Sequence, residues 1–284
     1  MQSPIIYTSE YLRTTKRTEC ISIAIHNALE SLHIEHRELK HTNDYWCRDY
    51  MPVMIFDDGT YSRYKYYPDY LIDKNKSQYI TNQNDACKDI NLFMPTDMNI
   101  IFDGGNYVRC GNKVIMTDKI FMENPQWSPT YLLGHLKDSL CADIILLPWD
   151  MGDEFGHSDG MVAYIGDDKV LLNSCWENKR AYHTRLRKIL DPHFEVIELV
   201  YDCKKDRDSW CYLNYLQLPN AILLPCLSNN ADCENDIAAI ETFKNIFPNL
   251  KIIPIYAKPL IQEGGALHCV TWEYIEYNNH KYCE

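Results

Sequence analysis

The chain has 284 residues, of which 46% are hydrophobic and 24% charged, and it carries a formal net charge of −12 at pH 7. That is the balance of an ordinary globular protein with enough chain for a full core, while the acidic excess argues against binding nucleic-acid phosphates and suits a cationic ligand. Its apolar runs fall far short of the ~18–20 residues that cross a bilayer, and Met1-Gln2-Ser3-Pro4 lacks a signal-peptide layout, so a cytoplasmic protein without a membrane partner is expected.

From the N-terminus, Ile21, Ala24, Ile25, Ala28, Leu29 and Leu32 form one stripe at helical spacing and predict a helix from about Thr18 to His33. The tyrosine-rich stretch Tyr61 to Tyr67 reads as a strand. Three hairpins follow, each signalled by two apolar runs around a turn. They run from Tyr107 through Gly111-Asn112 to Met116, from Met161 through Gly166-Asp168 to Leu172, and from Tyr215 through Pro219-Asn220 to Leu224. Behind each comes a helical stretch, at about Ser128 to Leu140, Lys179 to Leu190 and Asp232 to Ile246, and then a short apolar strand. Those strands are Ile144 to Leu147, Glu195 to Val200 and Lys251 to Ile255. Hairpin, helix, strand is therefore a repeated unit, and the even spacing predicts one closed domain over residues 1–284.

Polar motifs mark the same period. Trp46-Cys47-Arg48-Asp49, Asp103-Gly104-Gly105-Asn106, Gly156-His157-Ser158-Asp159, the segment around Asn214 and Gly264-Gly265-Ala266-Leu267-His268-Cys269 recur at steps of 54, 54, 57 and 55 residues. Repeated units that each send one group to a shared centre would gather these residues into one site. The residue types suit attack on a planar cation. A cysteine can act as a nucleophile once its thiolate is favoured, carboxylates match guanidinium N–H groups bidentately, and Trp46 offers a ring for cation–π contact. The twelve cysteines include no pair at metal-ligand spacing, so most are expected to be reduced and buried, and no metal or cofactor is expected.

With these motifs in order, the chain resembles the family of agmatine deiminases and Porphyromonas-type peptidylarginine deiminases, from Trp46 to Trp272. The resemblance implies a five-bladed α/β propeller, the pentein fold. It implies Cys269 as nucleophile, His157 as general acid and base, Asp49 and Asp159 as the guanidinium-holding pair, and Asp103 as the group orienting the histidine. Trp46, Gly264 and Gly265 are expected to line the substrate, with Asn214 in a supporting role. Met51 stands where the family usually has glycine, and the N-terminal tryptophan motif of agmatine deiminases is missing.

The expected activity is hydrolysis of a guanidino group to a ureido group and ammonia through a covalent Cys269 thiouronium, on agmatine or a similar small cation. Peptidylarginine or free arginine as substrate, amidino transfer to an amine, and a catalytically silent binding module of the same fold are the alternatives. Arg63 and Arg109 are the candidate partners for a substrate carboxylate. Asp57, Asp58, Asp69, Asp153 and Glu154 suit a cationic or neutral tail better, and Arg48 is expected to be a structural pairing residue. The sequence carries no sign of oligomeric state.

Overall fold

The structure is a computed structural model that describes residues 3–173, 180–200 and 207–276. Its strands are β1 (Ile5–Ser9), β2 (His36–Leu39), β3 (Val53–Phe56), β4 (Thr60–Lys65), β5 (Phe93–Ile101), β6 (Val108–Cys110), β7 (Lys113–Thr117) and β8 (Asp143–Leu147). They continue as β9 (Val162–Gly166), β10 (Lys169–Asn173), β11 (Glu195–Leu199), β12 (Leu216–Gln217), β13 (Ala221–Cys226), β14 (Lys251–Tyr256) and β15 (Trp272–Tyr274). They form five three-stranded sheets in the orders β15-β1-β2, β3-β4-β5, β6-β7-β8, β9-β10-β11 and β12-β13-β14.

Each sheet is built alike. The central strand pairs antiparallel with its hairpin partner and parallel with the strand that returns after a crossover. The central strands β7, β10 and β13 are buried almost throughout, which is why they read as apolar runs rather than alternating ones. All six residues of β13 are buried, as are four of the five in β10. Four crossovers carry a helix, at Glu19–Ser31, Pro129–Leu140, Arg180–Leu190 and Glu234–Ile246. The second of these shows the local logic. The Ser128 hydroxyl accepts from the Tyr131 N–H, Pro129 opens the first turn, and Leu132, Leu136 and Leu140 are buried one turn apart. Lys179, the expected first residue of the third helix, lies outside the described residues.

The first sheet closes the ring. β15, from the C-terminal end, pairs antiparallel with β1 in the register Tyr7↔Trp272 and supplies the hairpin partner that the first repeat lacks locally. Tyr7, Tyr61, Trp272 and Tyr274 cluster behind this seam, with ring centroids 5.4–6.2 Å apart, and the Trp272 indole donates to the Pro52 carbonyl at 2.8 Å. The five like sheets are the repeated units that the motif spacing predicts, in the five-bladed α/β arrangement that the family resemblance implies. The second blade departs from the repeat. Between β4 and β5 it carries only short helices, Asp69–Asp73, Ser77–Tyr79 and Gln83–Ala86, and its hairpin begins at Val53, ahead of the tyrosine run.

Candidate active site

The five motifs form the turns that enter the first strand of each hairpin. Cys47–Tyr50 is one helical turn before β3, Gly104–Asn106 and Ser158–Gly160 are single tight turns before β6 and β9, and Arg207–Leu213 leads through Asn214 into β12. Neighbouring turns pack on one another in sequence. Backbone bonds complete the circle, because the His268 N–H donates to the Asn214 carbonyl at 3.1 Å and the Arg48 N–H donates to the Cys269 carbonyl at 3.1 Å. This ring brings together Asp49, Asp103, His157, Asp159, Asn214 and Cys269.

Cys269 is 7% exposed. Its Sγ receives the Asn214 Nδ2–H at 3.1 Å and lies 3.8 Å from Asp159 Oδ2. The Asn214 side-chain Oδ1 accepts from the backbone N–H groups of Ala266 and Cys269, at 3.0 and 3.2 Å. One side chain therefore shapes the loop that carries Cys269 and points a donor at its sulfur. Burial pushes the Cys269 thiol well above its ordinary range, helped by the carboxylates of Asp159 and Asp49, with the Ala266 N–H and Asn214 acting in the opposite direction.

His157 stands between two carboxylates. Its Nε2 is 3.1 Å from Asp103 Oδ2 and its Nδ1 is 3.6 Å from Asp49 Oδ1. Burial opposes the imidazolium, yet Asp49 and then Asp103 outweigh it and raise His157 to about 10. Gly105 makes this approach possible, since a Cβ there would stand 2.4 Å from His157 Nδ1 and 2.8 Å from Asp49 Oδ1.

Asp49 and Asp159 differ in character. Asp159 Oδ2 pairs with His268 Nδ1 at 2.7 Å. Burial works against its carboxylate, but His268 outweighs that and holds it below the usual value. Asp49 is pushed up to about 8, chiefly by burial, with His157 pulling it down and Asp103 and Asp159 adding to the rise. Its Oδ1 is buried without a hydrogen-bond partner among the described residues. Such an oxygen is costly unless something else meets it.

The Trp46 ring lies against the loop that carries Cys269, where a Cβ on Gly265 would be 2.2 Å from Trp46 Cζ3. Gly264, on the same loop, has a φ of +95°. Arg48 is the structural pairing residue that the sequence suggests. Its guanidinium is held by Glu273 and donates to the His268 carbonyl at 3.4 Å.

The chain matches the family model of Porphyromonas-type peptidyl-arginine deiminase over residues 8–274. It belongs to that family. Two curated relatives carry the name "Putative agmatine deiminase". One, from Mycoplasma mycoides, is 37% identical over 60 residues, a stretch covering 21% of this chain and 15% of that protein. The other, from Shewanella baltica, is 22% identical over 81% of this chain and 73% of its own length. Among solved structures, C. jejuni agmatine deiminase superposes with a TM-score of 0.68 at 17% identity, covering 97% of this chain and 94% of the other. At that identity the likeness bears on the fold.

In this member of the family, the two arginines considered for a substrate carboxylate are engaged elsewhere. Arg63 pairs with Asp97 at 3.0 Å and with Asn84 at 2.7 Å. Arg109 donates to the carbonyls of Gly111 and Leu140, each at 2.6 Å. Several of the acids considered for a cationic tail are also occupied. Asp69 pairs with Lys119, Glu154 with Lys74, and Asp153 accepts the N–H groups of Phe155 and Gly156.

Sequence reasoning missed the partnership of His268 with Asp159, although that histidine lies inside a motif. It also missed the aromatic wall on His157, where Phe155 and Tyr70 stand with ring centroids at 5.9 and 6.3 Å. Tyr70 comes from the irregular crossover of the second blade and has no motif to mark it. Among the described residues, no group of three or more His, Cys, Asp or Glu side chains is placed to hold a metal ion, and no helix is long and apolar enough to cross a membrane.

Proposed function

We propose that residues 1–284 form one catalytic domain that hydrolyses a guanidino group to a ureido group and ammonia. The observation that carries this reading is Asp49 Oδ1, which is buried without a hydrogen bond among the described residues, 3.6 Å from His157 Nδ1, in the ring that also holds the Cys269 thiol and the Asp159 carboxylate. A buried cluster with surplus negative charge selects a cation, and a guanidinium offers N–H donors to both carboxylates. Family membership and the shared names of the relatives support the same chemistry.

The steps follow from the electrostatics. In the free site burial, with the neighbouring carboxylates adding to it, keeps Cys269 a thiol. A guanidinium seated on Asp49 and Asp159 neutralises them, so Cys269 releases its proton to solvent as the complex forms, leaving a thiolate with the Asn214 N–H bonded to its sulfur. The sulfur attacks the guanidinium carbon. The His157 imidazolium, poised between Asp49 and Asp103, gives a proton to one amino group, which leaves as ammonia and yields a thiouronium. The neutral imidazole then takes a proton from water, the hydroxide adds to the same carbon, and the C–S bond breaks as the new hydroxyl proton passes to the departing sulfur, which releases the neutral ureido product and restores the Cys269 thiol. The covalent route divides one difficult hydrolysis into two easier steps.

Agmatine, or another small guanidino cation without a carboxylate, is the substrate we favour, because Arg63 and Arg109 are tied to structural partners. The family model's peptidyl-arginine description supports the second reading, an arginine within a peptide, which also lacks a free α-carboxylate. A panel of agmatine, free arginine, a blocked arginine and an arginine peptide, scored for ureido product and ammonia, tests both. Free arginine as the best substrate would overturn the preference, and a new guanidino compound in place of ammonia would mark an amidinotransferase.

A further inference from the structure

Lys119 is a buried cation that the reaction does not consume. It opens the short helix Lys119–Glu123, just after β7, and is 1% exposed. Its Nζ reaches four oxygens from three segments: Asp69 Oδ1 at 2.9 Å, Glu123 Oε1 at 3.4 Å, and the carbonyls of Phe155 at 3.0 Å and Glu154 at 3.4 Å. It also lies over the rings of Tyr70 and Trp149, at 5.4 and 5.7 Å. Both aromatic neighbours of His157 hang from these contacts. Phe155 is held through its own carbonyl, and Tyr70 follows Asp69 in the helix that Asp69 opens. Tyr70 and Phe155 meet edge to face at 5.0 Å. One residue further on, Gly156 gives its carbonyl to the Thr117 hydroxyl at 2.6 Å, so the backbone entering His157 is anchored on consecutive residues.

We propose that Lys119 is a positioning residue for the reaction, a post that joins two loops from different blades and so fixes His157 and its aromatic wall between Asp49 and Asp103. The inference rests on the deiminase reading for its functional meaning, but its geometry can be tested without turnover. The ionisable groups around His157 are Asp49, Asp103, Asp159 and the Tyr70 phenol, and Glu123 feels the charges of both His157 and Asp103. Glu123 is itself buried, with Oε2 lacking a hydrogen-bond partner among the described residues. Removing Lys119 alone therefore strands a carboxyl group, and the loss of stability has to be separated from any loss of position.

The experiment uses Lys119→Met, the double variant Lys119→Met/Glu123→Gln, and Asp69→Asn, which weakens one tie by removing its charge at a side chain that is 51% exposed. Histidine ring resonances are titrated by NMR, with His157 assigned by difference against His157→Asn, alongside melting temperature, kcat and KM. Losing a nearby cation through charge alone would raise the His157 midpoint. Losing the geometry that sets it between two carboxylates would lower it, toward the ordinary value of about 6.5. The expected result is a fall of at least about one pH unit in Lys119→Met. The double variant is expected to recover melting temperature without recovering the midpoint, with kcat down roughly tenfold or more. Asp69→Asn should melt like the wild type with KM raised a few-fold. A midpoint that stays put or rises, or a double variant that recovers midpoint and kcat together with stability, overturns the proposal. Because the midpoint is read on resting protein, a wild type that produces no ureido compound would refute the deiminase reading while this inference was still scored.

Discussion

Replacing Asn214 separates two jobs that its side chain performs at once. Its Oδ1 accepts two buried backbone N–H groups and its Nδ2 donates to Cys269 Sγ at 3.1 Å. Asn214→Ala leaves two buried donors without an acceptor, at roughly 1–3 kcal/mol each, and removes a hydrogen bond to a forming thiolate worth about 1.5–3 kcal/mol. That variant should lose several degrees of Tm and about ten- to a hundred-fold in kcat/KM. Asn214→Asp keeps the acceptor and the shape but replaces the donor with a charge. Two unit charges at 3.1 Å in an effective dielectric of about 20 repel by about 5 kcal/mol, which corresponds to more than roughly three decades in thiolate formation. The aspartate variant should therefore be the more stable of the two and the less active. The assay is ureido formation together with the rate at which a haloacetamidine labels Cys269 as a function of pH. If Asn214→Asp retains more activity than Asn214→Ala, Asn214 serves only as a template for the loop and its assigned part in activating the thiol is wrong.

Other expectations are direct. Gly105→Ala puts a methyl group 2.4 Å from His157 Nδ1 and should cost at least about tenfold in kcat by displacing the imidazole; unchanged kinetics would show that the ring is not confined there. The proposed function has the guanidinium bind to the Asp49 carboxylate, whose pKa burial raises to about 8. In Cys269→Ala protein, calorimetry should therefore find affinity for a guanidino ligand rising by up to about tenfold per pH unit below that value, with proton release on binding, and then levelling off. A flat affinity over that range would contradict the role given to Asp49. His157 adds folding stability of the opposite pH sense. Its folded pKa of about 10 exceeds the usual value of about 6.5, so its contribution is complete below that usual value and is lost as pH rises through about 10. In His157→Asn, alkaline denaturation followed by circular dichroism should show a shallower loss over that range.

Much of this architecture was legible because the repeat writes itself locally. Gly111-Asn112, Gly166-Asp167-Asp168 and Pro219-Asn220 mark three hairpin turns, and each hairpin starts just after a polar motif. The first blade gave no such signal because its hairpin is divided between Ile5–Ser9 and Trp272–Tyr274, and no local window contains both. The second was obscured by Pro95 and Asp97 inside β5 and by a crossover without a long helix. The site was readable where chemistry needs rare combinations, such as two glycines before a histidine and a cysteine. Asn214 had no motif of its own, only its interval, and its three hydrogen bonds emerge only when the fourth and fifth turns meet. Lys119 follows a strand and resembles a surface lysine in sequence. Only the fold brings Asp69 and the carbonyls of Glu154 and Phe155 around it.

The central claim is covalent catalysis at Cys269. Acid quenching the enzyme during steady-state turnover of agmatine, followed by digestion and mass spectrometry, tests it most directly. The account predicts an adduct equal to the substrate less one ammonia, confined to the peptide carrying Cys269, that decays as ureido product appears, and no turnover by Cys269→Ala. Sustained ureido formation by Cys269→Ala, or an adduct on another cysteine with kinetics matching turnover, would contradict it.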